Sequence, residues 1–302
     1  MPWKSWSTEK VGIAFALLAA FGFSLKAIFV KLAYAVAPVE AVTLLALRMA
    51  LSLPFFVIAG WSALCAGDAL TRRDWGMLVA LGLLGYYASS MLDFMGLQYI
   101  SAGLERLILF TYPTLTILIG VLFLGKQFDR RLIPAVLLSY AGIGLAFAHD
   151  LQIAGDLRSV WIGAGFVFGS ALTYALYSAG TEVAVHRLGS TRFSTLALLV
   201  STAAAQAHFL ISEPLSALIQ PWPVYAYGAG MAVFSTVLPV FWQSAAIRRI
   251  GSARAVLIGT LGPMLTLGFS WTLLNEPMSL HQIGGAALVV GGVLLVTRKA
   301  AR

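Results

Sequence analysis

Charge is what this sequence has least of. Only 11% of its 302 residues are Asp, Glu, Lys or Arg, while 60% are hydrophobic. Soluble domains carry about 25% charged residues. An apolar excess of that size cannot be hidden in one water-soluble core, so most of the chain has lipid for its solvent. Cysteine is nearly absent as well: Cys65 stands alone, which excludes an intrachain disulfide. No Cys/His metal cluster, HExxH, GxSxG or GxxxxGK[ST] occurs, so neither an enzyme nor a metal or other cofactor site is expected. Without an ATP site the chain is no self-contained ATP-driven pump, and any concentrating transport must draw on an ion or substrate gradient.

What is present is length in apolar runs. A membrane helix needs about 20 mostly apolar residues, and such runs lie at roughly 11–34, 39–60, 75–96, 99–124, 132–149, 159–181, 191–211, 222–246, 251–274 and 279–297. Turn formers such as Pro38, Gly67, Gly155, Gly189, Pro221 and Pro277 mark several of the short links. In lipid every backbone polar group must be satisfied within its own segment or a closed barrel. The runs are too long and uniform for the alternating pattern of a barrel, so helices are expected. The basic start, MPWKSWSTEK, leads into an apolar run that contains Lys26, and it reads as a retained first helix rather than a signal peptide.

The formal charge of +8 is a topology signal and not a nucleic-acid footprint. With the N-terminus in the cytoplasm, that side holds Lys4, Lys10, Arg72, Arg73, Lys126, Arg130, Arg131, Arg187, Arg192, Arg248, Arg249, Arg254, Arg298, Lys299 and Arg302. The opposite side keeps Arg158 alone, beside Glu40, Asp150, Asp156, Glu213 and Glu276. Fifteen to one is the bias expected of cytoplasmic loops. It supports ten spans with both termini in the cytoplasm.

The chain also repeats itself. Residues 100–145 align without a gap on residues 250–295: Pro113 falls on Pro263, Leu115-Thr116 on Leu265-Thr266, Leu138 on Leu288 and Gly142 on Gly292. Gly12, Phe15, Ala20 and Leu25 fall likewise on Gly163, Phe166, Ala171 and Leu176. Five helices per half is an odd number, so the second half, 159–297, enters the membrane from the side opposite to the first, 11–149. The expected fold is an all-α integral membrane protein of ten transmembrane helices in two inverted five-helix repeats, an arrangement suited to alternating access.

Leu274-Asn275-Glu276-Pro277 followed by Gly284, Gly285, Gly291 and Gly292 resembles the EamA-type members of the drug/metabolite transporter superfamily. Their fourth helix in each half carries a central proline, followed by a turn of this kind and a Gly-rich fifth helix. Leu124-Gly125-Lys126-Gln127 departs from that pattern, with Lys126 where the family often has Glu. The resemblance covers nearly the whole chain. It implies an inner-membrane secondary carrier, usually an exporter of small metabolites such as amino acids, organic acids or drug-like compounds.

Charges at membrane depth are costly and mark functional candidates. They are Lys26 and Lys31 in the first span, Arg48 in the second, Asp93 in the third, and Glu105 and Arg106 in the fourth. Four bases against two acids make a net positive interior, suited to a carboxylate or phosphate. Glu105 and Arg106 are about 100° apart on a helix and need partners elsewhere, with Lys26 expected for Glu105 and Asp93 for Arg106. Such pairs either fix packing or gate the outer end, and Glu105 is a candidate proton carrier. Lys31 is expected to snorkel, and Arg48 to cap carbonyls or reach the cytoplasmic side.

The expected substrate-binding set is Lys26, Tyr86, Tyr112, Tyr174, Tyr177, Trp242 and Gln243; the gating or coupling set is Asp93, Glu105, Arg106, Pro113 and Pro263. The two prolines each remove a helical hydrogen bond at matched depth and should kink their helices. His208 is expected as a packing residue. Gly165 with Gly169, and Gly284 with Gly291-Gly292, are expected to allow close helix approach. The partners expected are a small-molecule substrate, the lipid bilayer and a coupling proton, without nucleic acid, in a monomer or homodimer. An exchanger of phosphorylated or carboxylated metabolites, and a scaffold or lipid-handling protein without transport, are the alternatives.

Overall fold

A computed structural model describes residues 8–65, 69–123, 125, 132–153 and 156–297. The expected topology residues Lys4, Lys126, Arg130, Arg131, Arg298, Lys299 and Arg302, and the turn glycines Gly67 and Gly155, lie outside them. Among the described residues every regular element is helical. In chain order they are α1 (Thr8–Val36), α2 (Ala41–Cys65), α3 (Arg72–Gly96), α4 (Ala102–Phe123), α5 (Leu132–Ile153), α6 (Leu157–Leu188), α7 (Ser190–Ser212), α8 (Trp222–Ile250), α9 (252–273) and α10 (Leu280–Thr297). Seven of them, α1 to α4 and α6 to α8, are long and apolar enough to cross a membrane. The apolar parts of α5 and α10 are shorter, Val136–Ala148 and Leu280–Leu294, and α9 is in two pieces.

The interruptions follow from proline chemistry. The first piece of α4 ends at Leu109 and the second starts at Tyr112; the first piece of α9 ends at Gly259 and the second starts at Gly262. A proline clashes with the carbonyl four residues back, and four residues before Pro113 and Pro263 are Leu109 and Gly259. The expected kinks are therefore full breaks. A second matched pair of defects is π-helical, at Leu83–Ala88 in α3 and Val233–Val237 in α8. Both defects recur at the same offset as the sequence repeat.

Close packing rests on glycine at a few places. Along α5 and α10, a Cβ added to Gly142 would lie 2.3 Å from the Gly285 carbonyl oxygen, so the two backbones touch. Gly12 of α1 faces Ile250 of α8 in the way Gly163 of α6 faces Ile100 after α3. Gly60 of α2 receives Thr195 of α7. The glycines expected for this role are mostly not the ones used: around Gly165, Gly284 and Gly291 an added Cβ would meet nothing within 4 Å. Helical periodicity drawn on a uniformly apolar segment does not say which face meets protein and which meets lipid. Outward faces carry large apolar residues such as Ile58, Leu122, Ile211 and Leu280, as lipid contact requires.

Candidate functional site

Three elements bring charge to one point. α1 supplies Lys26, α3 supplies Asp93 one turn after its π-helical stretch, and α4 supplies Glu105 in its first turn. That turn starts where it does because the Ser101 hydroxyl accepts from the Leu104 N–H at 3.1 Å. Lys26 Nζ lies 2.7 Å from Asp93 Oδ2 and 3.7 Å from Glu105 Oε1. The Asp93 and Glu105 side chains are 1% and 0% exposed. One ammonium thus serves two buried carboxyl groups. The expected contact of Glu105 with Lys26 is there, while Asp93 shares the same lysine.

Arg106 stands beside this group, near enough to act electrostatically on both acids. Its guanidinium carbon is 5.8 Å from the Phe110 ring centre. Its Nε finds no hydrogen-bond partner among the described residues. Arg48 is also buried: it donates to Ser90 Oγ at 2.8 Å and lies over Phe94, a packing role between α2 and α3.

A strip of rings continues from there. Phe110 meets Tyr112 edge-on at 6.2 Å, Tyr112 meets Tyr174 at 4.8 Å, and Tyr174 meets Tyr177 at 5.6 Å. Tyr177 donates its hydroxyl to that of Tyr86 at 3.0 Å. The four expected tyrosines form one cluster, drawn from α3, α4 and α6. Trp242 and Gln243 are part-buried on α8, and the described ring and hydrogen-bond contacts of the strip run through other residues. His208 takes a packing position, with the Tyr87 hydroxyl 2.8 Å from its Nδ1.

Each end of the bundle has a polar closure. At the end carrying Glu40, a cleft of about 530 Å³ is lined by Lys31, Tyr34, Glu40, Gln98 and Glu276. Lys31 does not snorkel freely but lies 3.8 Å from Glu276, whose carboxylate also accepts from the Ala102 N–H at 3.1 Å. Asn275 makes that contact possible: its left-handed backbone, φ +54°, turns the chain after α9 and points Glu276 at the start of α4. At the other end Asp74, buried, closes a capping box with Thr71 and forms an ion pair with Arg187 of α6. Glu9 and Arg254 meet there at 2.8 Å, both exposed. Sequence reasoning placed Arg187 as a loop charge, and Glu276 as a loop charge within the Leu274-Asn275-Glu276-Pro277 turn, without a partner for either. A capping signature, Thr71 with Asp74 three residues on, was the available clue for the closure at Asp74.

Among the described residues, seven helices long and apolar enough to cross a membrane, closed around a buried charge cluster and an aromatic strip, define a multi-pass membrane protein. The chain belongs to the EamA-like transporter family, whose model matches residues 10–148 and 161–298. It is 28% identical over 298 residues to YcbK of Bacillus subtilis, described as an uncharacterized transporter, covering 93% of this chain and 92% of that one. It is 24% identical to the pseudopaline exporter CntI of Pseudomonas aeruginosa over 295 residues, 96% of each. A crystal structure at 17% identity overlays with a TM-score of 0.67, covering 97% of this chain and 99% of the other, which shows a shared fold. Family and relatives point to a transporter rather than an enzyme, embedded in a membrane and acting on a small molecule.

Proposed function

We propose that the protein is a secondary active exporter that moves a small metabolite across the inner membrane by alternating access, coupled to protons at Lys26, Asp93 and Glu105. The single observation that carries this reading is one ammonium held by two carboxyl groups that water does not reach. Arg106 also acts on both acids, yet a carboxyl group that water does not reach is costly while it is charged. Taking up a proton removes that cost. A relative named as an exporter supports the outward direction.

All ten helical segments cross the membrane in this reading, as two inverted halves, 11–149 and 159–297, with both termini in the cytoplasm and the protein a monomer or homodimer. The packing supports it. α1 lies along α8 and α3 along α6, while α2 lies along α7 and α5 along α10. Exchanging the two halves maps the first pair onto the second and each of the others onto itself, as a two-fold axis in the membrane plane requires. The breaks before Pro113 and Pro263 are the hinges, and Tyr86, Tyr112, Tyr174, Tyr177, Trp242 and Gln243 line the substrate path with Lys26.

An exchanger of phosphorylated or carboxylated metabolites is the second reading, favoured by Lys26, Arg48 and Arg106 outnumbering Asp93 and Glu105 in the cluster. Uptake of labelled metabolite pools into everted membrane vesicles separates the two. A proton-coupled exporter accumulates its substrate only under an imposed pH gradient. Accumulation that follows trapped countersubstrate and ignores the gradient identifies the exchanger. A chain that moves no solute under either condition is a scaffold.

A further inference from the structure

We propose that Arg106, between the breaks of α4 and α9, anchors a monoanionic carboxylate whose planar ring lies along the tyrosine strip; this rests on the transport reading above. Arg106 is in the last turn of the first piece of α4 and 7% exposed. Its Nη2 lies 3.7 Å from the point that a Cβ on Gly262 would occupy. Gly262 is the first residue of the second piece of α9. The guanidinium therefore reaches from one break to the other.

Each second piece has twelve residues, long enough for its N-terminus to carry unpaired N–H groups and positive potential. The Thr111 hydroxyl donates back to the Ile108 carbonyl at 2.8 Å, and Leu261, the cap residue of the piece in α9, makes no side-chain cap bond. The Arg106 guanidinium has an Nε with no hydrogen-bond partner among the described residues. Starts of broken helices are where carriers receive anionic groups, and a guanidinium presents the planar fork that matches a carboxylate.

Charge and shape narrow the ligand. Lys26, Arg48 and Arg106 all act on Asp93, with Glu105 the second acid beside them, so one negative charge completes the balance and a dianion overshoots it. From Phe110 the rings run unbroken to Tyr86, a surface suited to edge or face contact with another ring.

The test is equilibrium binding to the full chain in detergent, read by the thermal midpoint and by titration calorimetry. Benzoate is the probe, with benzamide, benzylamine and phenyl phosphate beside it. Benzoate should raise the midpoint in a saturable way, and the other three should bind at least tenfold more weakly. Arg106→Gln should weaken benzoate at least tenfold. Because that change alone can unsettle the fold, Gly262→Ala is the second variant: its methyl would meet Phe110 and Arg106 at ordinary contact distances, 3.4 and 3.7 Å, and stand where the carboxylate belongs. It should weaken benzoate while the unliganded midpoint holds. No saturable benzoate effect, equal binding of benzamide or benzylamine, stronger binding of phenyl phosphate, or wild-type affinity in both variants overturns the assignment. Vesicle flux separates the two levels. Benzoate binding without solute movement sinks the transport reading and leaves the site, whereas flux with no carboxylate preference does the reverse.

Discussion

Replacing Lys26 with methionine keeps the length and most of the volume of the side chain and removes its charge. Asp93 and Glu105, at 1% and 0% exposure, then lose an ammonium that lies 2.7 and 3.7 Å away. Removing one partner of a buried ion pair costs about 3–5 kcal/mol, because the other charge is left uncompensated. At roughly 2–4 °C per kcal/mol for chains somewhat shorter than this one, the thermal midpoint in detergent should fall by on the order of 10 °C. The double change Lys26→Met, Glu105→Gln leaves Asp93 beside Arg106 and should recover most of that loss. Tryptophan fluorescence during a melt reads all three proteins on one scale. A single variant within about 1 kcal/mol of the parent would refute the reasoning, since that is the size of a solvated surface pair.

Three further outcomes follow from the packing and the ends. Gly142→Leu must push α5 from α10, because even a methyl would lie 2.3 Å from the Gly285 carbonyl; a loss of about 1–3 kcal/mol or more is expected, measured by the same melt. Glu276→Gln keeps an acceptor for the Ala102 N–H and loses the ion pair to Lys31, whereas Glu276→Ala loses both, so amide exchange at Ala102 should speed up little in the first and strongly in the second. Asp156, before α6 and outside the spans, has its carboxyl held below the usual range by the Ser159 hydroxyl first and then by the Arg158 N–H. A lowered folded value stabilises above the ordinary carboxylate pKa and is lost as pH falls through the folded one, so the protection of the Arg158 and Ser159 amides, taken relative to their intrinsic exchange rates at each pH, should fall on acidification in the parent and not in Asp156→Ala.

Much of this was legible because lipid simplifies the code. Apolar length gave the helices, and the offset between Pro113 and Pro263 placed both breaks, since proline acts on its own backbone whatever surrounds it. The tyrosines were found because a deep tyrosine must be satisfied by protein. Side-chain partners across helices were harder. Asp93 lies just after the π-helical stretch Leu83–Ala88, and a widened turn shifts every later residue by about 100° per extra residue relative to a regular wheel. Shared depth was enough to bring Asp93 and Arg106 together, but not to show that Asp93 also takes the lysine that meets Glu105. The glycine contacts escaped for a related reason: every face of α5 and α10 is apolar, so composition does not distinguish protein from lipid. The role of Glu276 depended on the left-handed turn at Asn275, which no periodicity reports.

Glu105→Gln in reconstituted liposomes tests the central claim most directly. The amide keeps the shape of the side chain and cannot release a proton. If Glu105 carries the coupling proton, the variant retains exchange of labelled for unlabelled substrate but no longer responds to an imposed pH gradient, and a pH dye trapped inside shows no substrate-driven proton movement. Gradient-driven accumulation at the parent rate in Glu105→Gln would contradict the account and leave Lys26, Asp93 and Glu105 as a packing element alone.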